Sequence, residues 1–133
     1  MRVKPGKPLV FGEVDGGKGP VPLLGLPGNP VSAAITYLLF AKPFIETLLG
    51  RTYREPIPVA VPARFDAPDP GSRPTYIRVT LQTEGLARDP AQGSHQMAAL
   101  ARADGLALLA ADCRVQQGDL LPYWPMRILT DLV

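Results

Sequence analysis

The stretch LPGNPVSAAITYLLF, residues 26–40, passes from helix breakers to an almost wholly apolar run within four residues. Asn29 is a favoured N-cap, and Pro30 suits the first helical position because the N–H it lacks would have had no helical partner there. Ser32 falls in the first turn. The N–H groups of Val31, Ser32 and Ala33, the Ser32 hydroxyl and the positive end of the helix dipole together make a receptor for an anion. Pro27-Gly28 turns the chain tightly enough for a ligand to approach. The alternative is a capped helix that binds nothing. Downstream, Ala34, Ile35, Leu38, Leu39, Ile45, Leu48 and Leu49 recur at helical spacing, and Gly50 stands where a helix-ending left-handed residue belongs. Pro43 is expected to bend or split this helix near residues 40–42.

Working outward, the short apolar runs Leu9–Gly12 and Val21–Leu26 read as buried strands joined by the flexible turn EVDGGKGP. A strand pair and one helix cannot bury the continuous faces of a parallel sheet, so residues 1–52 are expected to be the C-terminal tail of a larger α/β domain. The texture changes near residues 51–55. RTYREPIPVAVPARF places Ile57, Val59 and Val61 in alternation, and PTYIRVTLQTEG does the same with Ile77, Val79 and Leu81, the pattern of half-buried strands. HQMAALARADG reads as a helical turn with Met97, Leu100 and Ala101 on one side. GLALLA, GDLLPYW and PMRILTDLV are expected to add short strands. Residues 53–133 are therefore expected to form a small, mostly β domain.

The chain has 133 residues, 46% of them hydrophobic, enough for one ordinary domain or two small ones. Fourteen basic against twelve acidic residues give a formal charge of +2, far from the loading of a general nucleic-acid binder. Tyr53, Tyr76, Tyr123 and Trp124 are too scattered to form the stacking platform of an RNA-binding barrel. One cysteine, Cys113, excludes an internal disulfide and a cysteine-rich zinc site, and fits a reducing cytosol. The longest apolar run, Ala33–Ala41, is far short of the roughly 20 residues that cross a bilayer. Pro5, Gly6 and Pro8 interrupt any signal-peptide core. The expectation is a soluble cytoplasmic protein without membrane or nucleic-acid partners.

Two further elements bear on the anion receptor. In VKPGKPLVFG, Lys4 and Lys7 flank a Pro-Gly turn that holds two ammonium groups close together. At an effective dielectric of about 20, such a pair attracts an oxyanion by several kcal/mol before desolvation. A solvated turn is the alternative. In GSRPTYIRV, Arg73 lies at a strand entrance, constrained by the following proline, with Arg78 inside the strand. A plain surface arginine is the alternative there. GSHQM contributes Ser94 and His95 ahead of a short helix. Asp66, Asp69 and Asp89 neighbour prolines and read as turn residues. The chain has no nucleophile–base pair, P-loop or dinucleotide fingerprint.

Taken in order, KPGKPLVFG, GLPGNPVSA, GSRPTYIRV and GSHQMAALARADGLALL resemble the C-terminal part of the MoeA family, the molybdopterin molybdenumtransferases related to gephyrin and the plant E domains. The resemblance implies the tail of an α/β molybdopterin-binding-like domain over residues 1–52 and a C-terminal β-barrel-like domain over residues 53–133. It implies insertion of molybdate into adenylylated molybdopterin with release of AMP, in the last step of molybdenum cofactor biosynthesis. It also implies a magnesium ion whose ligands lie in family segments that this chain does not contain, and a homodimer in the full-length form. By motif, Lys4 and Lys7 match the family's paired lysines and take the catalytic role. The implied molybdate-binding set is Lys4, Lys7, Pro8, Pro27, Asn29, Pro30, Ser32, Arg73 and Ser94. Thr75 stands where relatives carry an acid, and Ala98 and Ala99 stand where many carry serines. Lacking the pterin-binding loop, the chain is expected to be inactive alone. The alternative is a dimerisation or peptide-binding scaffold module of the gephyrin E type.

Overall fold

The computed structural model describes residues 10–28, 30–89 and 102–130. Strands β1 (Val10–Asp15) and β2 (Pro20–Gly25) pair antiparallel as a hairpin. At its tip the Asp15 carboxylate accepts the Gly17 N–H at 2.9 Å, an Asx turn that closes the loop. Next come α1 (Pro30–Thr36), a π-helical turn (Tyr37–Ala41) and α2 (Lys42–Leu48). The β part consists of β3 (Val59–Pro62), β4 (Thr75–Gln82), β5 (Gly85–Arg88), β6 (Gly105–Leu109) and β7 (Leu120–Pro125), closed by α3 (Met126–Thr130).

The helix shows how Pro43 is accommodated. A proline has no N–H to donate, and its ring crowds the carbonyl four residues back. The chain answers by widening one turn, and the Lys42 N–H donates to the Tyr37 carbonyl, five residues back. The helix is split without being broken. At its end Gly50 takes φ +76°, and the Arg51 N–H reaches the Glu46 carbonyl at 3.0 Å, the six-to-one bond of a Schellman cap. Residues 30–48 thus run as one helix of 19 residues with mean hydropathy 1.3, long and apolar enough by those measures to cross a bilayer, longer than the apolar run alone implied. Here it lies on the sheet and carries a Lys42–Glu46 ion pair at 3.5 Å.

The five-stranded sheet has the order β3-β7-β6-β4-β5. It curls into a half-barrel, and its two edge strands meet where Ala63 bridges Leu86 and the Arg64 N–H donates to the Leu86 carbonyl at 2.8 Å. An ion pair between Arg64 and Glu84 lies on the same seam. Alternation sorts side chains to two faces. The concave face gathers Ala63, Ile77, Val79, Leu86, Ala107, Leu109, Leu121 and Tyr123. On the opposite face Leu106, with Tyr76 and Trp124 beside it, receives Val31 and Ile35 of α1 and Leu129 of α3. The run GLALL is apolar without alternation because β6 is covered on both sides.

Some of these expectations need correction. The strands of the hairpin were expected to be buried, but Val10 and Phe11 are both 62% exposed, and Val14, Val21 and Leu23 are exposed as well. Apolar composition states what a strand can bury, not that a covering layer lies in the same chain. On this hairpin Phe11 meets Phe44 of α2 edge-on, with ring centroids 5.7 Å apart. PMRILTDLV does not supply a strand, since residues 126–130 are helical. Met126 and Leu129, three apart, fall on one helical face and pack on the Leu106 cluster, and this overrides the β-preference of Ile128 and Thr130. The strand β5 was not anticipated, because GLAR is too short and too little β-branched to signal itself. The parallel sheet of an α/β domain is not seen among the described residues. The helical turn expected around Met97, Leu100 and Ala101 lies outside them.

Candidate functional site

The start of α1 is fixed from below by packing. Val31 is fully buried and Ile35 nearly so, one helical turn apart, and both seat against Leu106 and Leu129. Between β2 and the helix the chain turns through Leu26, Pro27 and Gly28. Pro30 opens the helix and is exposed, Pro27 is half-buried, and Ser32 is only 2% exposed. Ser32 and Thr36, both buried, give this side of the helix a polar seam beside the apolar one. Val31 and Ser32 each have interactions within the chain. The positive end of the helix dipole points out of this turn, where an anion is favoured.

Arg73 is half-buried on a different element, at the entrance to β4. Its turn is well fixed. Asp69 Oδ1 accepts the Gly71 N–H at 2.8 Å, the Gly71 carbonyl accepts the Asp112 N–H at 2.8 Å, and the Arg73 carbonyl accepts Thr75 Oγ1 at 3.4 Å. Pro27, Pro30 and Ser32 thus lie together at the helix start, while Arg73 stands on the β unit. Lys4, Lys7, Pro8, Asn29 and Ser94 lie outside the described residues. For the magnesium ion implied by the resemblance, no group of three or more His, Cys, Asp or Glu stands together among the described residues. They do not fit such an ion.

The structure adds residues that sequence reasoning passed over. Arg78 is 2% exposed in mid-strand, paired with Asp89. The signal available was the non-alternating GLALL run, which implies that the face carrying Arg78 is covered too. Trp124 donates its indole N–H to the Pro56 carbonyl at 3.1 Å and lies 5.6 Å from the Tyr76 ring. Beside it, a cleft of about 570 Å³ is lined by Lys42, Glu46, Tyr53, Arg54, Glu55 and Ile128 among others.

Three tyrosines titrate above their usual range. Burial is the main cause for each, reinforced by Glu55 and Glu46 at Tyr53, by Glu55 at Tyr76 and by Asp104 at Tyr123, where Arg127 opposes it. A phenol whose folded pKa lies above its unfolded value of 10.0 favours folding fully below that value, and the advantage is lost as pH rises through the folded pKa. Urea midpoints are therefore expected to fall between about pH 9 and about pH 11 more than in a variant with Tyr76 and Tyr123 changed to phenylalanine. Equal losses in both proteins would contradict this.

Comparison with known proteins bears on what the arrangement serves. The sequence model of the family described as MoeA C-terminal region (domain IV) matches residues 60–126, half of the chain. The chain belongs to the MoeA family. Its matched region runs from β3 to the start of α3, so the half-barrel is the MoeA C-terminal region. A molybdopterin molybdenumtransferase from Nostoc sp. is 35% identical over 115 residues, covering 82% of this chain and 26% of the relative. Molybdopterin molybdenumtransferase 1 of Mycobacterium tuberculosis is 30% identical over 133 residues, covering 91% of this chain and 30% of the relative. The Drosophila melanogaster molybdenum cofactor synthesis protein cinnamon is 44% identical over 50 residues, or 38% of this chain and 8% of that protein. The MoeA-type chain thus spans between a quarter and a third of the two bacterial relatives.

Proposed function

We propose that the chain is the C-terminal part of a cytoplasmic, homodimeric enzyme that inserts molybdate into adenylylated molybdopterin with release of AMP. One observation carries the reading. An alignment that covers 91% of the chain can leave out no more than about a tenth of it, so the likeness to a molybdopterin molybdenumtransferase extends from the β unit back through the helix start. In this proposal residues 1–52 end a larger α/β domain and residues 53–133 are the β domain. Lys4 and Lys7 supply charge. At the start of α1 the N–H groups of Val31, Ser32 and Ala33 and the Ser32 hydroxyl are the directed donors, Pro27, Asn29 and Pro30 form the turn in front of them, and Pro8, Arg73 and Ser94 complete the oxyanion site. Magnesium is held by residues outside this chain, and the 133 residues alone insert no molybdenum.

The test is calorimetric titration of tungstate or molybdate into a full-length protein that contains this chain, and into its variants. Lys7→Ala is expected to weaken binding by about 1.5–3 kcal/mol, as for loss of a hydrogen bond to a charged group, with Ser32→Ala and Lys4→Ala acting in the same direction. Sulfate should compete weakly. Unchanged affinity in both Lys7→Ala and Ser32→Ala removes the oxyanion reading. The scaffold alternative gains nothing from the groove in the β unit, because Asp66, Arg114, Gln116 and Gln117 line it beside Ala67, Pro68 and Val115.

A further inference from the structure

Aspartate precedes glycine at two places in the chain, Asp15-Gly16 in the hairpin turn and Asp104-Gly105 at the entrance to β6. Such a pair reacts without an enzyme when its backbone is free to turn. The glycine nitrogen can close a five-membered ring on the aspartate carboxyl carbon, and glycine has no Cβ to hinder it. The fold treats the two pairs differently.

Residues 11–20 are all exposed, and a Cβ at Gly17 or Gly19 would meet nothing within 4 Å, so the turn stands in open space. The Gly17 N–H donates to Asp15 Oδ1 at 2.9 Å, which folds the carboxyl group back over the Asp15–Gly16 peptide, toward the nitrogen that would attack it. That nitrogen donates to the Gly19 carbonyl at 3.0 Å, an exposed turn bond of the kind that opens readily. Packing also keeps a hindering residue out. A Cβ at Gly16 would lie 2.4 Å from Val21 Cγ2, and valine is stiff about χ1, so the position is held to glycine.

Asp104 is exposed as well, but its carboxylate is occupied, because Oδ2 accepts the Leu81 N–H at 2.8 Å. Its own N–H donates to the Val79 carbonyl at 3.0 Å, and its carbonyl accepts the Met126 N–H at 2.8 Å. Gly105 is buried and paired with Val79 on one side and Pro125 on the other, and a Cβ there would lie 2.2 Å from the Trp124 carbonyl oxygen. Neither partner can turn into the ring geometry while the half-barrel is folded.

We propose that Asp15 is a site of spontaneous isoaspartate formation and that the fold spares Asp104. The Gly16 nitrogen, having released its proton to solvent, bonds to Asp15 Cγ, and the carboxyl group loses an oxygen as water, leaving a cyclic imide. Water then adds to one of the two ring carbonyls. Opening at Cγ restores aspartate. Opening at the main-chain carbonyl breaks its bond to the Gly16 nitrogen, which takes up a proton; the chain then runs through the side-chain carbon, and the former main-chain carbonyl becomes the free carboxylate. Nothing is oxidised or reduced, and the mass is unchanged. The product carries one more methylene in the main chain at the residue that pairs with Pro20 and closes the hairpin.

The test incubates the full-length protein that contains this chain for weeks at neutral pH, folded and, in parallel, unfolded in guanidinium chloride. Isoaspartate is read by enzymatic methylation with labelled S-adenosylmethionine and by fragmentation of two tryptic peptides, the one that ends at Lys18 and the one of residues 103–114. In the folded protein the first peptide is expected to carry the label and the second at least about tenfold less, because Asp104 reacts only from an opened state. In the unfolded protein both are expected to react. Asp15→Glu, whose ring would need six members, is expected to lose the signal of the first peptide. Folded protein without isoaspartate at Asp15 overturns the proposal, since the bond from Gly16 to Gly19 then protects the turn. Equal label in the two peptides of the folded protein, or an Asp104 no more reactive unfolded than folded, overturns the sparing of Asp104. Label that persists in Asp15→Glu has another source and overturns the assignment.

Discussion

Leu106→Ala is expected to lower the unfolding free energy by about 2–5 kcal/mol, the range for deleting a fully buried leucine side chain. Leu106 has no exposed surface, and it is the residue of the sheet against which Val31 and Ile35 of α1 and Leu129 of α3 pack. Its cross-strand neighbours Arg78 and Trp124 cannot close the gap: one is held by Asp89 and the other by Pro56. The cavity therefore persists, and the helix loses its seat before the concave core is touched. Urea denaturation gives the total cost. Amide exchange then separates the helix, expected to loosen first, from β4 and β6. A cost below about 1 kcal/mol would mean that the site had collapsed around the alanine and that the helix is held by something else.

Gly85→Ala should be nearly as damaging for a different reason. Gly85 has φ +143°, a conformation that side chains rarely adopt, and a Cβ there would lie 2.3 Å from the Pro62 carbonyl oxygen. The strained backbone costs about 1–3 kcal/mol, and forcing extra volume against a fixed neighbour costs about 1–3 kcal/mol more. The obstacle is a backbone oxygen at the seam where Ala63 meets Leu86, so relief requires β5 to move away from the end of β3. The variant should show a large drop in thermal midpoint and rapid exchange at the Arg64 amide, whose carbonyl partner is Leu86. A midpoint within about 2 °C of the parent would refute the account of the seam.

Much of this fold is legible where one local rule acts alone. Gly50 ends its helix, Pro43 perturbs it, and Asp69 makes its turn, because a missing N–H, a missing Cβ or a short carboxylate acts within a few residues. Strands β4 and β6 announce themselves by apolar content. The failures share another cause. Whether Val10 and Phe11 are covered, whether residues 126–130 wind or extend, and whether Arg78 is exposed or buried are all decided by elements far away in sequence. The helix start was legible from Asn29-Pro30 and Ser32, but the burial of Ser32 follows from how Val31 and Ile35 seat on Leu106. The Arg78–Asp89 pair was hidden because Asp89, next to a proline, already had a sufficient local explanation as a turn residue.

The chain carries one tryptophan, and its place gives the molecule an intrinsic optical gauge. Trp124 touches three things at once: the Tyr76 ring, the helix-bearing cluster and, through its indole N–H, the carbonyl of Pro56 in the segment that leads from α2 to β3. The concave core, built on Ile77, Val79, Leu86 and Leu121, lies on the other side of the sheet. Indole emission therefore follows the seating of the helix and the 51–58 segment, whereas the far-ultraviolet signal of the strands follows the half-barrel. Where the two curves part during denaturation, the separation measures how far the helix can lift while the sheet beneath it stays folded.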